Sequence, residues 1–439
     1  MADAAVRTRE ERRVLAGTLV GTTIEWYDFF IYAQAAGLVF GQLFFAPLGE
    51  TGAQIAAWAS LGISFLFRPL GAVIAGHLGD RIGRKKMLVL TLILMGLATA
   101  LIGVLPTYAD IGIMATVLLV LLRVLQGFSA GGEWGGAALM SVEHAPAGKR
   151  GLFGAYPQIG VPVGMILATF TMWILTTNLS EEAFMAWGWR LPFLFSIVLI
   201  VVGYVIRRAV EESPIFTELQ QRRSESSAPL ATLFRHHGRE VILTALIFIA
   251  NNAAGYLLIA FFTTYVSTVV GMPRPTALLM TTLAAFGWLI FTMFGGWLSD
   301  RIGRVRTFQI GYVLIAVWSI PMWFLIDSGS VALFFIALFV LTIGLGLSYG
   351  PQAALYAEMF PADVRYSGVS IGYALGAILG GAFAPLIAEL LLDNTGNSLS
   401  IGVYVLGITL VSLVAVSFVK ETRGTPLDTQ SIEVVAART

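Results

Sequence analysis

Long apolar stretches alternate with short polar ones along nearly the whole chain. Each apolar run is about 20 residues long, the length that a helix needs to cross a bilayer, and is bounded by charged or turn residues. The twelve runs cover residues 15–43, 54–77, 86–106, 112–142, 152–177, 190–208, 240–270, 276–298, 306–327, 331–357, 367–392 and 400–419. The pattern predicts an all-α membrane protein with twelve transmembrane helices.

The longest polar stretch leaves six runs before it and six after it. The predicted divisions are a cytoplasmic N-terminal segment at 1–14, a six-helix bundle at 15–208, a cytoplasmic linker at 209–239, a second six-helix bundle at 240–420 and a cytoplasmic tail at 421–439. With both termini in the cytoplasm, nearly all lysines and arginines fall on that side, and the outer loops hold only Arg190 and Arg274. This positive-inside bias predicts a multi-pass protein of the plasma membrane, in bacteria the cell inner membrane, with cytoplasmic termini.

Three short signatures recur in the same order in both groups of runs. The second run is followed by "GHLGDRIGRKK" (76–86) and the eighth by "GWLSDRIGRVR" (296–306), so that Asp80 and Asp300 lie 220 residues apart. "VEHAPAGKRG" (142–151) after the fourth run corresponds to "AEMFPADVRYSG" (357–368) after the tenth, and "EESP" (211–214) after the sixth run to "KETRG" (420–424) after the twelfth. The chain is therefore predicted to contain two copies of a six-helix unit, the architecture of alternating-access carriers.

Composition supports the membrane assignment and narrows the chemistry. Of the 439 residues, 57% are hydrophobic and 12% charged, and the mean hydropathy is +0.81; soluble domains carry roughly 25% charged residues. The absence of cysteine excludes disulfides, zinc–cysteine sites and thiol chemistry. The four histidines are not spaced as metal ligands, and neither a phosphate-binding "GxxxxGK" nor a nucleophile elbow occurs. We expect no metal, no cofactor and no enzyme activity.

Five ionisable residues lie deep in the first six runs: Glu25, Asp28, Arg68, Arg123 and Glu133. One charge at the centre of a bilayer helix costs roughly 3 kcal/mol on insertion scales. Three acids face two bases, and burial beside other acids favours the protonated form of a carboxyl group. We therefore predict a proton-coupling site at Glu25, Asp28 and Glu133, opposed by an arginine that binds an anionic group. The alternative is an ion-pair network that only fixes helix packing.

Polar and aromatic residues that share helix faces with these charges, or that lie in the second half, are candidates for substrate binding. They are Arg123, Gln126, Tyr32, Tyr156, Gln158, Asn252, Tyr256, Trp288, Gln352 and Tyr356. A trianion would need more than two buried arginines to offset its desolvation. A monocarboxylate with hydroxyl groups, or a zwitterion, fits these residues better.

The repeated loop signatures predict a gate on the cytoplasmic side. An aspartate can face the positive N-terminal end of a neighbouring helix, and arginines can pair with acids across the gate. The two "E-x6-R" pairs, Glu143 with Arg150 and Glu358 with Arg365, are expected to clamp adjacent helix ends. The predicted gating residues are Asp80, Arg84, Glu143, Arg150, Asp300, Arg304, Glu358 and Arg365.

These motifs resemble those of the major facilitator superfamily. The Arg123 segment "LLRVLQG" belongs to the same resemblance. Within the superfamily, "GTTIEWYDFFIYA", "FRPLGAVIAGHLGDRIGRKK", "LQGFSAGGEWGGA" and "WGWRLPFLFS" are similar to the metabolite:proton symporter family, whose members carry shikimate, 2-oxoglutarate, citrate, aromatic acids or proline and betaine. The resemblance covers residues 14–425 and implies proton symport of a small organic acid, a hydroxylated or aromatic monocarboxylate or a dicarboxylate. It places Arg123 at the family's fourth-helix arginine and makes Asp28 and Glu133 candidate proton sites.

Two other functions remain open on the same fold: a symporter of zwitterions such as proline or betaine, and a proton-coupled antiporter or exporter. The expected partners are a small-molecule substrate, protons and membrane lipids, without nucleic acid. We expect a monomer.

Overall fold

The computed structural model describes residues 2–82, 84–131, 133–146, 148–208, 229–361 and 364–427. Side chains are described within these ranges except at 2–11, 76–88, 207–208 and 229–232. The described part is helical, and no strand occurs in it. A helix lies at each of the twelve predicted positions, and the predicted fold class is confirmed.

The helices at these positions are called spans 1 to 12. Their bounds are Ala2–Ala35, Gly49–Ile82, Arg84–Val104, Ile113–Ala130 with Glu133–Glu143, Arg150–Asn178, Arg190–Arg208, Gly238–Tyr256, Arg274–Ile302, Arg304–Trp318 with Pro321–Ile326, Val331–Tyr349 with Gln352–Met359, Arg365–Ala377, and Leu399–Ser417. Apolar segments of this length form helices because lipid offers no partner for backbone N–H and C=O groups. Short helices connect several spans.

Eight helices in the described residues are long and apolar enough to cross a membrane. A ninth crossing is formed if the short helical segment Glu181–Gly188 and span 6, which are bent relative to each other, are taken together. Spans 1, 3 and 9 do not meet the same test. Span 1 carries Glu25 and Asp28, the described apolar part of span 3 begins only at Val89, and span 9 is broken before Pro321. These interruptions account for the difference from the twelve predicted spans.

Spans 1, 7 and 11 extend past the bounds given above through a π-helical turn, and each is then followed by a further α-helix, which is counted with its span. The turns are Ala36–Phe40 in span 1, Leu257–Phe261 in span 7 and Ile378–Ala382 in span 11. The first two begin 221 residues apart, close to the spacing of the repeated loop signatures. π-Turns inside helices are rare and occur frequently at functional sites.

Spans 1–6 (the first half) meet spans 7–12 (the second half) along two pairs of helices. Span 5 packs against span 8, and span 2 packs against span 11. Within the first half, spans 2 and 4 approach so closely that a methyl group on Gly127 would overlap the carbonyl oxygen of Ser64. Gly350 of span 10 stands in the same relation to Thr292 of span 8. Small residues thus let backbones touch, as in other membrane helix pairs.

The outer surface of the bundle is apolar. Large hydrophobic side chains are exposed along several spans, among them Leu97, Val201, Ile242, Phe324 and Val414. A continuous apolar exterior is unfavourable in water and favourable in lipid. The protein is therefore a multi-pass membrane protein. The proposed division at 209–239 falls largely on residues outside the described part and stays a prediction.

Candidate functional site

A small cavity lies between the halves. It is lined by Trp26 and Val161 from the first half and by Phe248, Asn251, Asn252, Gly255, Tyr256, Ile259, Trp288 and Tyr349 from the second. Three predicted binding residues, Asn252, Tyr256 and Trp288, are among them. Aromatic rings form much of the wall, which suits a compact ligand with an apolar or ring-shaped body.

The lining also carries hydrogen-bond donors that are not used within the protein. Among the described residues, the Trp26 Nε1, Asn252 Nδ2, Tyr256 Oη and Trp288 Nε1 atoms are buried and have no hydrogen-bond partner. Buried polar groups are normally paired, because leaving one unpaired costs about 1–3 kcal/mol. Unpaired donors around one cavity indicate a ligand that supplies acceptor oxygens.

Stacked aromatic rings join the halves next to this cavity. The Trp134 ring lies parallel to that of Tyr373, with centroids 3.8 Å apart and an interplanar angle of 9°. Phe248 stacks on the same tyrosine at 4.5 Å and also lines the cavity. Since Trp134 belongs to span 4 and Tyr373 to span 11, this stack has to separate when the halves part on that side.

Gln158 links the same layer by hydrogen bonds. Its Oε1 accepts the Trp134 indole N–H at 2.7 Å, and its Nε2 donates to the Tyr349 carbonyl oxygen at 3.2 Å and to Gln352 Oε1 at 3.3 Å. Two predicted binding residues, Gln158 and Gln352, thus bridge spans 5 and 10. Tyr356 donates to the Thr244 carbonyl oxygen at 2.5 Å and is not part of the cavity lining.

The five buried ionisable residues all lie inside the first half, each at most 1% exposed. The Asp28 carboxylate accepts the Ser196 hydroxyl of span 6 at 2.6 Å and also interacts with Thr99 of span 3 and electrostatically with Glu133. Glu25 instead acts electrostatically on Tyr256 and Tyr373, on the cavity side. The two acids of span 1 therefore have different surroundings, although they are only three residues apart.

Arg123 is held by neutral groups of its own half. Nη1 donates to Gln126 Oε1 at 2.6 Å, while Nη2 donates to Ser64 Oγ at 2.7 Å and to the Leu61 carbonyl oxygen at 3.1 Å. The guanidinium carbon lies 3.7 Å from the ring centroid of Tyr32. Arg123 and Gln126, which are one turn apart on span 4, thus lie together with Tyr32 of span 1, but none of the three lines the cavity.

A chain of polar side chains connects Arg123 with Asp28. Gln126 accepts from Arg123 and donates through Nε2 to Thr99 Oγ1 at 2.7 Å. Thr99 in turn interacts with the Asp28 carboxylate. Tyr156, the remaining predicted binding residue, is half-buried, packs against Phe153 and lies outside the cavity lining.

At one end of the bundle, here called the charged end, Asp300 closes the start of span 5. Its two carboxylate oxygens accept the backbone N–H groups of Gly151 and Leu152, each at 2.9 Å. The first N–H groups of a helix have no partner within it and carry partial positive charge. Arg304 donates to Asp300 at 2.6 Å and to Glu358 at 3.3 Å. Asp300 thus joins the two halves.

The "E-x6-R" residues pair across the halves and not within each repeat. Arg150 lies 3.7 Å from Glu358, and Arg365 lies 3.6 Å from Glu143. The expected partners were therefore wrong, because the two loops face each other and each acid meets the arginine of the other copy. The side chains of Asp80 and Arg84 lie outside the described residues.

The halves also touch at the opposite end. The side-chain amide of Gln34 donates to the carbonyl oxygen of Ile259, which belongs to the π-turn of span 7. A methyl group on Gly37, in the π-turn of span 1, would overlap the Thr264 hydroxyl. The cavity lies between this contact and the charged end, and the halves touch on both sides of it.

The sequence did not single out Phe248, Trp134 or Tyr373. Arg68 was recognised as a buried charge but was not among the predicted binding residues. Aromatic residues inside apolar spans look like ordinary packing residues, and their period alone does not distinguish a cavity wall from a helix contact. Trp134 had one signal, its position between glycines in "GGEWGG", where small neighbours leave room for another helix.

The sequence profile of the Major Facilitator Superfamily matches residues 18–385 and 279–435. The chain is 39% identical over 416 residues to the inner membrane metabolite transport protein YhjE of Escherichia coli (strain K12), with 94% of each chain covered. It is 38% identical to the shikimate transporter of the same organism, covering 94% of this chain and 95% of that one. It is 32% identical to the proline/betaine transporter of Salmonella typhimurium (strain LT2), covering 95% and 85%.

Among solved structures, the proton:xylose symporter XylE bound to 6-bromo-6-deoxy-D-glucose superimposes with a TM-score of 0.78 at 17% identity, covering 97% of this chain and 99% of that chain. A partially occluded inward-open form of XylE from E. coli superimposes with a TM-score of 0.75 at 18% identity, covering 95% and 100%. These likenesses show the fold.

Proposed function

The chain belongs to the major facilitator superfamily and is a membrane transporter of metabolites, and we propose that it is a proton-coupled symporter of small organic acids that works by alternating access. The observation that carries this proposal is the cavity between the halves, with its aromatic wall and unpaired buried donors. A hydroxylated or aromatic monocarboxylate suits these rings and donors.

The balance of buried charge supports coupling to protons. Glu25, Asp28 and Glu133 face Arg68 and Arg123, an excess of one acid among five buried groups. An anionic substrate entering without a proton would raise this excess in a low-dielectric interior, where uncompensated charge costs several kcal/mol. Uptake of a proton by one of the carboxyl groups offsets the added charge. Substrate and proton therefore enter together.

The bonds at the charged end act as the gate of this mechanism. The arginine-rich loops support a cytoplasmic location for that end and for both chain termini. Opening toward the cytoplasm breaks the Asp300 bonds and both exchanged ion pairs, while opening to the outside breaks the contacts around Gln34. Residues 15–208 and 240–420 rock against each other about the central cavity.

A zwitterion symporter is the second candidate. The aromatic side chains Trp26, Tyr256 and Trp288 suit a quaternary ammonium group as well as a ring. The similarity to the proline/betaine transporter favours the same class.

The function is tested with purified protein in liposomes under an imposed pH gradient. We expect labelled shikimate to accumulate above equilibrium when the outside is acidic, and the accumulation to stop with a protonophore. Parallel vesicles receive proline or glycine betaine, and preferential uptake of either would select the zwitterion candidate. Equal uptake with and without the gradient would refute proton coupling.

The proton sites are tested in the same vesicles with Asp28→Asn combined with Glu133→Gln. Accumulation should be lost, while exchange of labelled for unlabelled substrate persists. Asp393→Asn, which removes the charge of an exposed acid, is the matched control and should leave accumulation unchanged. Accumulation that survives in the double variant would show that neither acid carries the proton.

A further inference from the structure

Arg68 of span 2 is a buried cation whose hydrogen-bonding capacity is incompletely used. The side chain is about 1% exposed, and among the described residues its Nε and Nη2 atoms have no hydrogen-bond partner. A guanidinium removed from water without full pairing is costly. Arg123, by contrast, uses both terminal nitrogens on neutral groups of its own half.

Three aromatic rings surround Arg68. Its guanidinium carbon lies 4.3 Å from the ring centroid of Phe29, 4.4 Å from that of Phe65 and 5.5 Å from that of Trp26. Cation–π attraction keeps the charge in place without occupying its N–H groups. The arrangement fixes a positive charge and leaves its donors available to an anion.

This group lies beside the central cavity. Trp26 lines the cavity, and the Phe65 ring is 5.2 Å from that of Tyr256, which lines it from the second half. Arg68 acts electrostatically on Tyr256 and on Tyr373. The Trp26 Nε1 and Tyr256 Oη atoms, both buried and unpaired, add two neutral donors next to the charge.

We propose that Arg68, with Trp26 Nε1 and Tyr256 Oη, binds the carboxylate of a compact, ring-bearing monocarboxylate whose body occupies the aromatic cavity. The inference rests on the proposed function and names the group that selects its substrate. Arg123 then serves as a positioning residue, since its contacts hold spans 2 and 4 together and connect it to Asp28.

The test compares acids with their methyl esters, because an ester keeps the ring and loses the negative charge. Calorimetric titrations at fixed pH use shikimate, benzoate and proline, each with its methyl ester, against purified protein. We expect wild type to bind at least one acid much more tightly than its ester. Truncating one partner of a buried charge pair weakens binding by about 100-fold, so Arg68→Gln should reduce the acid affinity by that factor and leave the ester nearly unchanged.

Two further variants separate binding from folding. Arg68→Lys keeps the charge but not the planar fork, and should retain part of the acid preference. Tyr256→Phe removes only a hydroxyl group and should weaken acid binding more than ester binding. Arg239→Gln, at an exposed arginine in span 7, is the matched control and should behave as wild type.

Wild type that binds no acid in the set, or that binds acid and ester equally, would overturn the proposal. It would also be overturned if Arg68→Gln kept the preference while Arg123→Gln lost it. The titrations need no pH gradient. If proton-driven uptake fails while the preference for the acid is intact, proton coupling is refuted and the role of Arg68 in carboxylate binding is retained. If uptake is intact and Arg68→Gln has no effect on acid binding, only the proposed role of Arg68 is refuted.

Discussion

Replacing Asp300 with asparagine weakens the connection between the halves at the charged end. The carboxylate accepts one backbone N–H on each oxygen, from Gly151 and Leu152, each at 2.9 Å. Asparagine has one acceptor oxygen, so its amide N–H₂ would face a second donor. Because these bonds run from the second half to the first, both are lost when this end opens.

The expected size of the effect follows from the two bonds. A hydrogen bond to a charged group contributes about 1.5–3 kcal/mol, and one between neutral groups about 0.5–1.5 kcal/mol. Losing one charged bond and reducing the other to a neutral bond therefore favours opening by about 3 kcal/mol. That free energy corresponds to a change of about 150-fold in the population of the open form.

The absence of cysteine makes this population directly measurable. A single cysteine at Ala353 is then the only thiol in the chain. Ala353 is buried in span 10, and its Cβ lies 3.1 Å from a Cβ built on Gly154 of span 5. A maleimide reaches it only when the halves separate. When opening is faster than labelling, the rate follows the open population, so Asp300→Asn should label about 150-fold faster.

Asp327→Asn is the matched control. Its carboxylate accepts the Tyr265 hydroxyl at 2.7 Å and the Ser398 hydroxyl at 2.5 Å, and all three residues belong to the second half. The same loss of charge there breaks no bond between halves, and the labelling rate should not change. If Asp300→Asn labels no faster than Asp327→Asn, the bonds of Asp300 do not hold the charged end closed.

Two further predictions concern stability. Gly127→Ala places a methyl group against the backbone oxygen of Ser64, which cannot move aside, and should lower the unfolding free energy by about 1–3 kcal/mol in a thermal-unfolding assay. The control Gly407→Ala has no atom within 4 Å of the added Cβ and should be neutral; equal losses in the two variants would contradict the close helix contact. Hydrogen bonds from Thr107 hold the pKa of Asp110 below its usual value. This interaction therefore stabilises the fold above the ordinary pKa of an aspartate, and the stabilisation is lost as pH falls through the lowered pKa. Asp110→Ala should be less heat-stable than wild type at pH 7 but not in acid, and a difference that persists in acid would exclude the carboxylate as its cause.

The positions of the spans could be predicted from the sequence because lipid leaves the backbone of a long apolar run no alternative to a helix. The repeated loops likewise indicated where the halves would meet. The arginine partners of Glu143 and Glu358 could not be predicted, since "E-x6-R" describes spacing within one loop. Which arginine each acid meets depends on how the two halves face each other, a long-range property.

The cavity shows the same limit. Asn252 and Tyr256 were found because two polar residues four apart share a helix face in an otherwise apolar span. Arg123 stood out as a buried charge, but spacing does not show that Gln126 and Ser64 pair with its two terminal nitrogens. Arg68 is an equally buried charge, and only the contacts around it show that two of its nitrogens remain unpaired.

The π-turns at Ala36–Phe40 and Leu257–Phe261 bear on how the outer side can open. A π-turn holds one residue more than an α-helical turn, and each α-helical residue turns by about 100°, so forming or removing such a turn rotates everything beyond it by roughly that angle. The ends of spans 1 and 7 can thus swivel about their own axes while the segments bearing Glu25 and Asn252 stay in register. Torsion at these two matched points is thus a second way for this end of the bundle to open, besides tilting of the two halves as rigid bodies.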